Sequence, residues 1–198
     1  SVAGLALLAA CSDDGRTLAP IRAGQTTTTT AAPVVGPSDG GGVLRLTTDV
    51  VADGGEMPLR FTCFGQGLSM PLSWSDVPAD ATSLAIVVRD RDAEGFVHWI
   101  VTGIDPTAGG VEEGRLPESA VEQVNSTGAI GWAAPCPPIG AARHIYDISL
   151  YALTGVVDID PELPAADAAS LIEEAPGTRS ALALTVTPPA AGIGSTEP

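Results

Sequence analysis

Residues 84–90, Leu-Ala-Ile-Val-Val-Arg-Asp, are the stretch that decides the fold. Five consecutive apolar residues come before Arg89 and Asp90, so an extended segment here is apolar on both faces. Such a strand is typical of the middle of a structure, with packed layers on either side. The stretch therefore predicts a central strand, with the Asp90 carboxylate at its end and free to turn into a pocket rather than into the core.

The segments around this strand predict a mainly β protein. Short apolar runs divided by Gly, Pro, Asp and Ser clusters are typical of strands, and they occur at residues 43–48, 60–64, 84–90, 97–104, 145–153 and 181–187. One segment, residues 161–175, has the spacing of apolar residues expected of a helix. Several strands followed by one late helix indicate a β-sandwich or barrel with a peripheral helix.

The chain of 198 residues is strongly acidic, with 24 Asp and Glu against 9 basic residues and a net charge of −15. All of the basic residues are arginine. General nucleic-acid binding requires a positive surface, so this charge argues against it. An anion site would have to be local, built from histidine, backbone N–H groups and an occasional arginine.

The N-terminal segment resembles the export signal and lipidation site of a bacterial lipoprotein. Residues 2–10 are an uncharged apolar run, too short to span a bilayer but suited to a secretory signal. Residues 8–11, Leu-Ala-Ala-Cys, are similar to a lipobox, in which small residues precede the cysteine that receives diacylglycerol. We expect residues 1–11 to be a signal and lipobox segment and Cys11 to carry the lipid (with palmitate-type acyl chains). The alternative is that residues 2–11 are the buried end of a strand or helix in which the cysteine has no special role.

Composition then divides the rest of the chain. Residues 12–42 are rich in Thr, Gly, Pro and Ala, and have too little bulky apolar surface to offset the entropy of ordering, which predicts a disordered tether. A folded domain is expected at residues 43–190 and a flexible tail at residues 191–198. With a lipid on Cys11, the domain would be held at the extracytoplasmic face of the cell membrane.

Two cysteines remain for the folded domain. Cys63 and Cys136 would lie in a compartment where disulfides persist. A bridge between them would close a long loop, which stabilises the fold by about 3–5 kcal/mol on the loop-entropy model. Two separate buried thiols are the alternative, and the sequence leaves both open.

Both histidines of the chain lie in segments with carboxylates, prolines and an aromatic. His98 follows the Asp90–Asp92 pair, and His144 follows the proline-rich residues 135–138. Imidazole titrates near neutral pH, so it can be a donor, an acceptor or a cation. Because side chains alternate along a strand, His144 and Tyr146 are expected on one face. These groups are predicted to converge on one cleft.

Several motifs, in one order along the chain, carry a family resemblance. They are residues 61–65 (Phe-Thr-Cys-Phe-Gly), 71–75 (Pro-Leu-Ser-Trp-Ser), 90–92 followed by 97–99 (Val-His-Trp), 135–138 (Pro-Cys-Pro-Pro) and 144–153. From about residue 43 to residue 187 the chain resembles the phosphatidylethanolamine-binding protein (PEBP) family, in particular its bacterial YbhB/YbcL-like branch (Raf kinase inhibitor-like), here in lipoprotein form.

The resemblance implies an antiparallel β-sandwich-like fold with small peripheral helices and a pocket for phosphate, phosphoethanolamine or similar head groups. By resemblance, the pocket residues are Asp90, His98, Pro135, His144 and Tyr146, with Asp92 in support. The chain also departs from the family pattern. Ala134 stands where glycine usually precedes the Pro-Cys element, and Ile145 replaces an arginine often found between the histidine and the tyrosine.

The chemistry of these groups suits an anion. A phosphate oxygen needs donors, and the two imidazoles, the Tyr146 hydroxyl and loop N–H groups can supply them. Asp90 would orient one imidazole and favour its protonated form. We therefore expect binding to tighten as the pH falls through roughly 6–7.

The leading hypothesis is a non-catalytic binding module for phosphate-type anions or phospholipid head groups, with no cofactor, no metal and no nucleic acid. One alternative is an inhibitor or regulator of a protease or kinase that presents its pocket rim, including residues 109–128, to the partner. A hydrolase with Asp90 and His98 as acid and base is the other. Against it, no serine lies in a nucleophile-elbow pattern, and the histidine spacing does not match a metal site.

Overall fold

The predicted central strand is the middle of a five-stranded sheet in the computed structural model, which describes residues 42–191. Eight strands occur in these residues: β1 (Arg45–Thr47), β2 (Leu72–Ser75), β3 (Ser83–Asp90), β4 (Val97–Ile104), β5 (Gly110–Val111), β6 (Val121–Glu122), β7 (His144–Leu153) and β8 (Gly177–Val186). They are accompanied by a 3-10 helix, Leu59–Phe61, and one α-helix, α1 (Ala165–Glu174).

The strands form two antiparallel sheets. The larger sheet has the order β6-β4-β3-β7-β8 and the smaller one β1-β2-β5, and every neighbouring pair within them is antiparallel. The mainly β, antiparallel fold expected from the sequence is therefore confirmed.

Strand β3 is apolar on both faces because it separates two cores. Leu84, Ile86 and Val88 pack into the larger core between the sheets. Ala85 and Val87 face the other way, into a smaller core that α1 covers with its apolar side. The layers are thus small sheet, large sheet and helix, and burial on both sides fixes the register of β3, since a slip of one residue exchanges its two faces.

The predicted helix is shorter than expected at its N-terminal end. It begins at Ala165 rather than near residue 161, with Pro164 at its N-cap. A residue that precedes proline is disfavoured in the helical conformation, so Leu163 cannot continue a helix into Pro164. The same effect ends α1, because Ala175 is extended and precedes Pro176. Within residues 42–191 this ten-residue helix falls short of the length that a membrane span requires.

The strand predicted at residues 60–64 is wrong. Its first part belongs to the 3-10 helix and the rest is a turn. Local hydrogen bonds decide this: the Thr62 hydroxyl donates to the Leu59 carbonyl and accepts from the Phe64 N–H. Side chains that bond to the nearby backbone in this way compete with strand pairing. Phe61 is nevertheless fully buried.

A disulfide joins this turn to the proline-rich segment. The Cys63 and Cys136 sulfurs lie 2.02 Å apart, and the Cys63 N–H donates to the Pro135 carbonyl at 3.0 Å. The two loops are thereby held together beside the edge where β3 ends. Residues 1–41 and 192–198, which include Cys11, most of the predicted tether and most of the predicted tail, lie outside the described residues. The predicted domain boundaries stay predictions.

We predict that replacing both cysteines by serine (Cys63→Ser with Cys136→Ser) lowers the free energy of unfolding by about 4 kcal/mol, because the bridge closes a loop of 73 residues. Urea denaturation measures this. Dithiothreitol should lower the stability of the parent protein by a similar amount and leave the variant unchanged. With Cys11 the remaining cysteine, more than one free thiol in the unfolded, unreduced chain would contradict the bridge.

Candidate functional site

The antiparallel order of the large sheet brings the segments that carry Asp90, His98 and His144 to one edge. Strand β3 ends at Asp90, where β4 begins at Val97 and β7 begins at His144. Asp90 is the pairing partner of Tyr146, and Arg89 that of Val97. Residues more than fifty positions apart in the chain therefore meet at this edge.

A cleft of about 530 Å³ opens there. Its walls come from the end of β3 and the turn after it, the start of β4, the segment before the disulfide, and the start of β7. The lining residues are Asp90, Asp92, Ala93, Phe96, His98, Thr127, Ala133, Ala134, Cys136, Pro138 and His144. Four of the six ligand-binding residues predicted from the sequence line this cleft, namely Asp90, Asp92, His98 and His144.

Asp90 and His144 form the polar centre of the cleft. The Oδ2 atom of Asp90 lies 2.7 Å from Nδ1 of His144, and Asp90 is only 2% exposed. Because an ionised carboxylate can only accept, Nδ1 of His144 carries the proton of this hydrogen bond. The ring is thus oriented by Asp90, as the sequence predicted, and its Nε2 atom is left for the cleft.

The turn after β3 holds the Asp90 carboxylate in place. Its Oδ1 atom accepts from the Asp92 N–H at 2.8 Å, and Oδ2 of Asp92 accepts from the Ile145 N–H at 2.7 Å. The chain can turn this tightly because Glu94 and Gly95 adopt φ angles of +53° and +74°, which glycine reaches without steric cost. Asp92 therefore ties the turn to β7.

His98 is oriented by the backbone rather than by a carboxylate. Its Nδ1 atom lies 2.7 Å from the Ala133 carbonyl oxygen, and the Ala133 N–H donates to the His98 carbonyl at 2.8 Å. Since a carbonyl only accepts, Nδ1 carries the proton. Burial lowers the pKa of this imidazole, so its neutral form is favoured. His98 is thus an acceptor at Nε2, whereas a donor was expected from the sequence.

Tyr146 lies beneath the cleft and does not line it. It is fully buried, and its ring meets the His98 ring edge-on at 5.2 Å and the His144 ring at 6.4 Å, stacked. Burial, and then the negative charge of Asp90, raises the pKa of the Tyr146 hydroxyl, and no described residue makes a hydrogen bond to it. The aromatic ring packs against both imidazoles, so Tyr146 positions them.

Pro135 is also buried and absent from the cleft wall. Its carbonyl binds the Cys63 N–H, which fixes the segment that carries the lining residues Ala133 and Ala134. Ala134 thus presents a methyl group at the position where the resemblance implies glycine.

The cleft carries little positive charge. None of the lining residues is lysine or arginine. Arg89 pairs with Glu173, and Arg91 pairs with Asp147 on the face of β7 opposite Tyr146. The two aspartates and two histidines are thus the titratable groups of the wall.

Several lining residues of the cleft were not among the site residues predicted from the sequence. Phe96 contacts His98 with ring centroids 4.7 Å apart, and its position two residues before His98 was the signal that could have found it. Thr127 had no such signal. It is placed by the buried Asn125, whose Oδ1 accepts from the Thr127 N–H and hydroxyl. Of the predicted rim at residues 109–128, Thr127 is the one residue on the cleft wall.

Comparison with known proteins connects this fold and cleft to one family. A family model described as phosphatidylethanolamine-binding protein matches residues 47–187. "Putative lipoprotein LppC" of Mycobacterium tuberculosis is 38% identical over 185 residues, which cover 88% of this chain and 89% of LppC. A UPF0098 protein of Methanothermobacter thermautotrophicus is 42% identical over 125 residues, covering 60% of this chain and 82% of that protein.

A solved structure of the same family has a similar fold. The crystal structure of Escherichia coli YbcL, described as a new member of the mammalian PEBP family, superimposes with a TM-score of 0.68 at 25% identity. The match covers 73% of this chain and 98% of YbcL. The resemblance drawn from the sequence motifs is therefore confirmed.

We predict that the protein loses stability as the pH falls below about 6.5, in part through His98. Because the pKa of His98 is lower in the folded than in the unfolded protein, the unfolded chain binds the proton first as the pH falls. The contribution of His98 to the free energy of unfolding is therefore fully present only above the pKa of the unfolded chain. The loss attributable to one proton is at most about 1.4 kcal/mol per pH unit. Urea denaturation between pH 8 and pH 5 measures it.

The matched comparison for this prediction is a His98→Phe variant, which keeps an aromatic ring but cannot titrate. Its free energy of unfolding should fall less steeply with decreasing pH than that of the parent protein. Parallel curves for the two proteins would show that His98 does not contribute.

Proposed function

The chain belongs to the phosphatidylethanolamine-binding protein family, and from this premise we propose that its cleft binds phosphate-type anions or phospholipid head groups without catalysing a reaction. The observation that carries the proposal is the pair of histidines on the cleft wall. Each has its Nδ1 atom engaged by the protein, with Asp90 or with the Ala133 carbonyl. Each therefore offers its Nε2 atom to a ligand in a fixed direction.

His144 would supply the main attraction for an anion. When protonated, its Nε2–H donates to a phosphate oxygen, and a hydrogen bond with a charged donor is stronger than one between neutral groups. The Asp90 carboxylate accepts from Nδ1–H and so leaves Nε2 of His144 as the ring atom for the ligand. No lysine or arginine lines the cleft, so a protonated histidine would be the source of positive charge on its wall.

The rest of the cleft suits the carbon atoms of a small head group. Phe96, Ala93, Ala134 and Pro138 give it an apolar wall beside the two imidazoles. A cleft of about 530 Å³ is within the size range of small-molecule sites, roughly 300–1,000 Å³. Ethanolamine or glycerol carbons of a phosphate ester could pack on this wall while the phosphate meets the histidines.

An enzymatic role has less support. Asp90 and His98 were the acid and base of the hydrolase alternative, but Asp90 bonds to His144 and the Asp92 N–H, whereas His98 bonds to Ala133. No group of three or more His, Cys, Asp or Glu side chains within residues 42–191 is arranged to hold a metal ion. The proposal is therefore one of binding.

We propose further that the domain is held at the extracytoplasmic face of a membrane by a lipid on Cys11. The relative LppC, which is 38% identical over most of both chains, carries the word lipoprotein in its name. Residues 8–11 have the small-residue and cysteine pattern of a lipobox. The binding cleft would then face the space outside the membrane, at the end of a tether.

The binding proposal predicts that phosphoethanolamine binds the parent protein and that Asp90→Asn weakens it by about tenfold or more. The variant replaces the charge-assisted hydrogen bond that holds the His144 ring by a weaker, neutral one. Isothermal titration calorimetry with O-phosphoethanolamine and with inorganic phosphate measures both affinities, and the pair of ligands tells a head-group site from a free-phosphate site.

Asp105→Asn is the matched control, because it makes the same change just after the opposite end of β4. It should bind like the parent protein. Absence of binding by either ligand in the parent protein would overturn the proposal. Equal affinity of the parent and Asp90→Asn proteins would show that the Asp90–His144 pair does not contribute to binding.

The anchoring proposal predicts that Cys11→Ser moves the full-length protein from the membrane to the soluble fraction of cells that express it. The thiol of Cys11 is the atom that would carry the diacylglycerol. Fractionation and immunoblotting measure the distribution. A variant that stays with the membrane would contradict lipidation at this residue.

A further inference from the structure

Both histidines of the cleft have their Nδ1 atoms engaged by acceptors of the protein. Nδ1 of His144 faces a carboxylate, and Nδ1 of His98 faces the Ala133 carbonyl. Both partners can only accept, so both Nδ1 atoms carry protons. In its neutral form each ring then has a lone pair at Nε2, and only a protonated ring donates from that atom.

His98 is built to stay in the neutral form. It is 6% exposed, and its ring lies between those of Phe96 and Tyr146, at 4.7 and 5.2 Å. The reciprocal hydrogen bonds with Ala133 fix both the backbone and the ring. Burial of an imidazole disfavours its charged form, and the lowered pKa of His98 agrees with this. No described residue bonds to its Nε2 atom.

The charges around the cleft limit the charge of a ligand. Asp90 and Asp92 line the wall, whereas no lysine or arginine does. The titratable groups that face His98 are Asp90 and His144, with the Tyr146 ring beneath them. A protonated His144 offsets one of the two carboxylates. One carboxylate is left uncompensated, and its repulsion is stronger for a phosphate dianion than for a monoanion.

We infer that the site takes a phosphate that carries its own proton: the P–OH group donates to Nε2 of His98, while a P–O⁻ oxygen accepts from Nε2–H of His144. This inference rests on the proposed function, and it narrows the ligand to a phosphate monoester, or inorganic phosphate, in its monoanionic form. A phosphodiester has no P–OH group. It would cover the Nε2 acceptor of His98 without donating a hydrogen bond to it, which weakens binding.

The test compares two monoanions of nearly equal size that differ by one proton. Methyl phosphate at pH 5.5 is mostly the singly protonated monoanion, because the second pKa of a phosphate monoester is about 6. Methyl sulfate at the same pH is a monoanion with no proton to donate. Isothermal titration calorimetry on the full chain should give an affinity roughly tenfold higher for methyl phosphate.

The His98→Phe variant separates the hydrogen bond from shape. It keeps a ring of similar size but has no acceptor, so the ratio of the two affinities should fall to about one. A parent protein that binds both ligands equally, or a variant that keeps the parent's preference, would overturn the inference and leave the proposed function standing. If neither ligand binds, the proposed function fails with it.

A second measurement does not depend on the variant's folding. With only 2 histidines in the chain, the ¹⁵N NMR signals of the four ring nitrogens can be assigned in the parent protein. Nε2 of His98 should be unprotonated in the free protein, and its signal should shift on addition of methyl phosphate. An Nε2 atom that carries a proton in the free protein at neutral pH would overturn the inference.

Discussion

The structure depends on a strand that is buried on both faces and ends in a buried carboxylate. β3 separates the two cores, so it cannot slide along β4 or β7 without moving apolar side chains from one core to the other. Asp90, its last residue, is therefore held at a fixed depth, 2% exposed. A buried carboxylate is costly unless it is paired and hydrogen-bonded. The Asp92 N–H and His144 meet that requirement.

The same requirement organises the cleft. Once Asp90 engages Nδ1 of His144, the imidazole has one orientation and one free nitrogen. The opposite wall reaches the same result by other means, because the Ala133 carbonyl engages Nδ1 of His98. Behind that wall, Pro135 and the disulfide keep the segment in place. The two imidazoles are therefore held by different Nδ1 partners, a carboxylate for His144 and a backbone carbonyl for His98.

The sequence predicted most of the fold because its strands bury long apolar runs, as in β3 and β7. It was wrong at residues 60–64, where apolar composition resembles a strand but the Thr62 hydroxyl satisfies the backbone locally. Asp90 and His144 are on the cleft wall because each stands at the end of a strand that meets the same edge of the sheet. Asp92 lies in the turn after β3, and His98 lies at the register shift between β3 and β4. Tyr146 and Pro135 are buried and do not line the cleft, and no local sequence pattern predicts how deeply a residue is buried. Thr127 depends on the buried Asn125, a contact made in the folded loop alone.

An acidic protein that binds an anion cannot rely on charge to select it. The net charge is −15 and no arginine lines the cleft, so the long-range field opposes every anion. Selection of an anion must then come from short-range effects. These are the direction of each hydrogen-bond donor and acceptor and the cost of leaving one of them unpaired in a buried site. Hydrogen bonds of this kind distinguish ligands of equal charge by where their protons lie. On the binding mode that we propose, this cleft distinguishes the protonation state of a phosphate monoester as well as its shape.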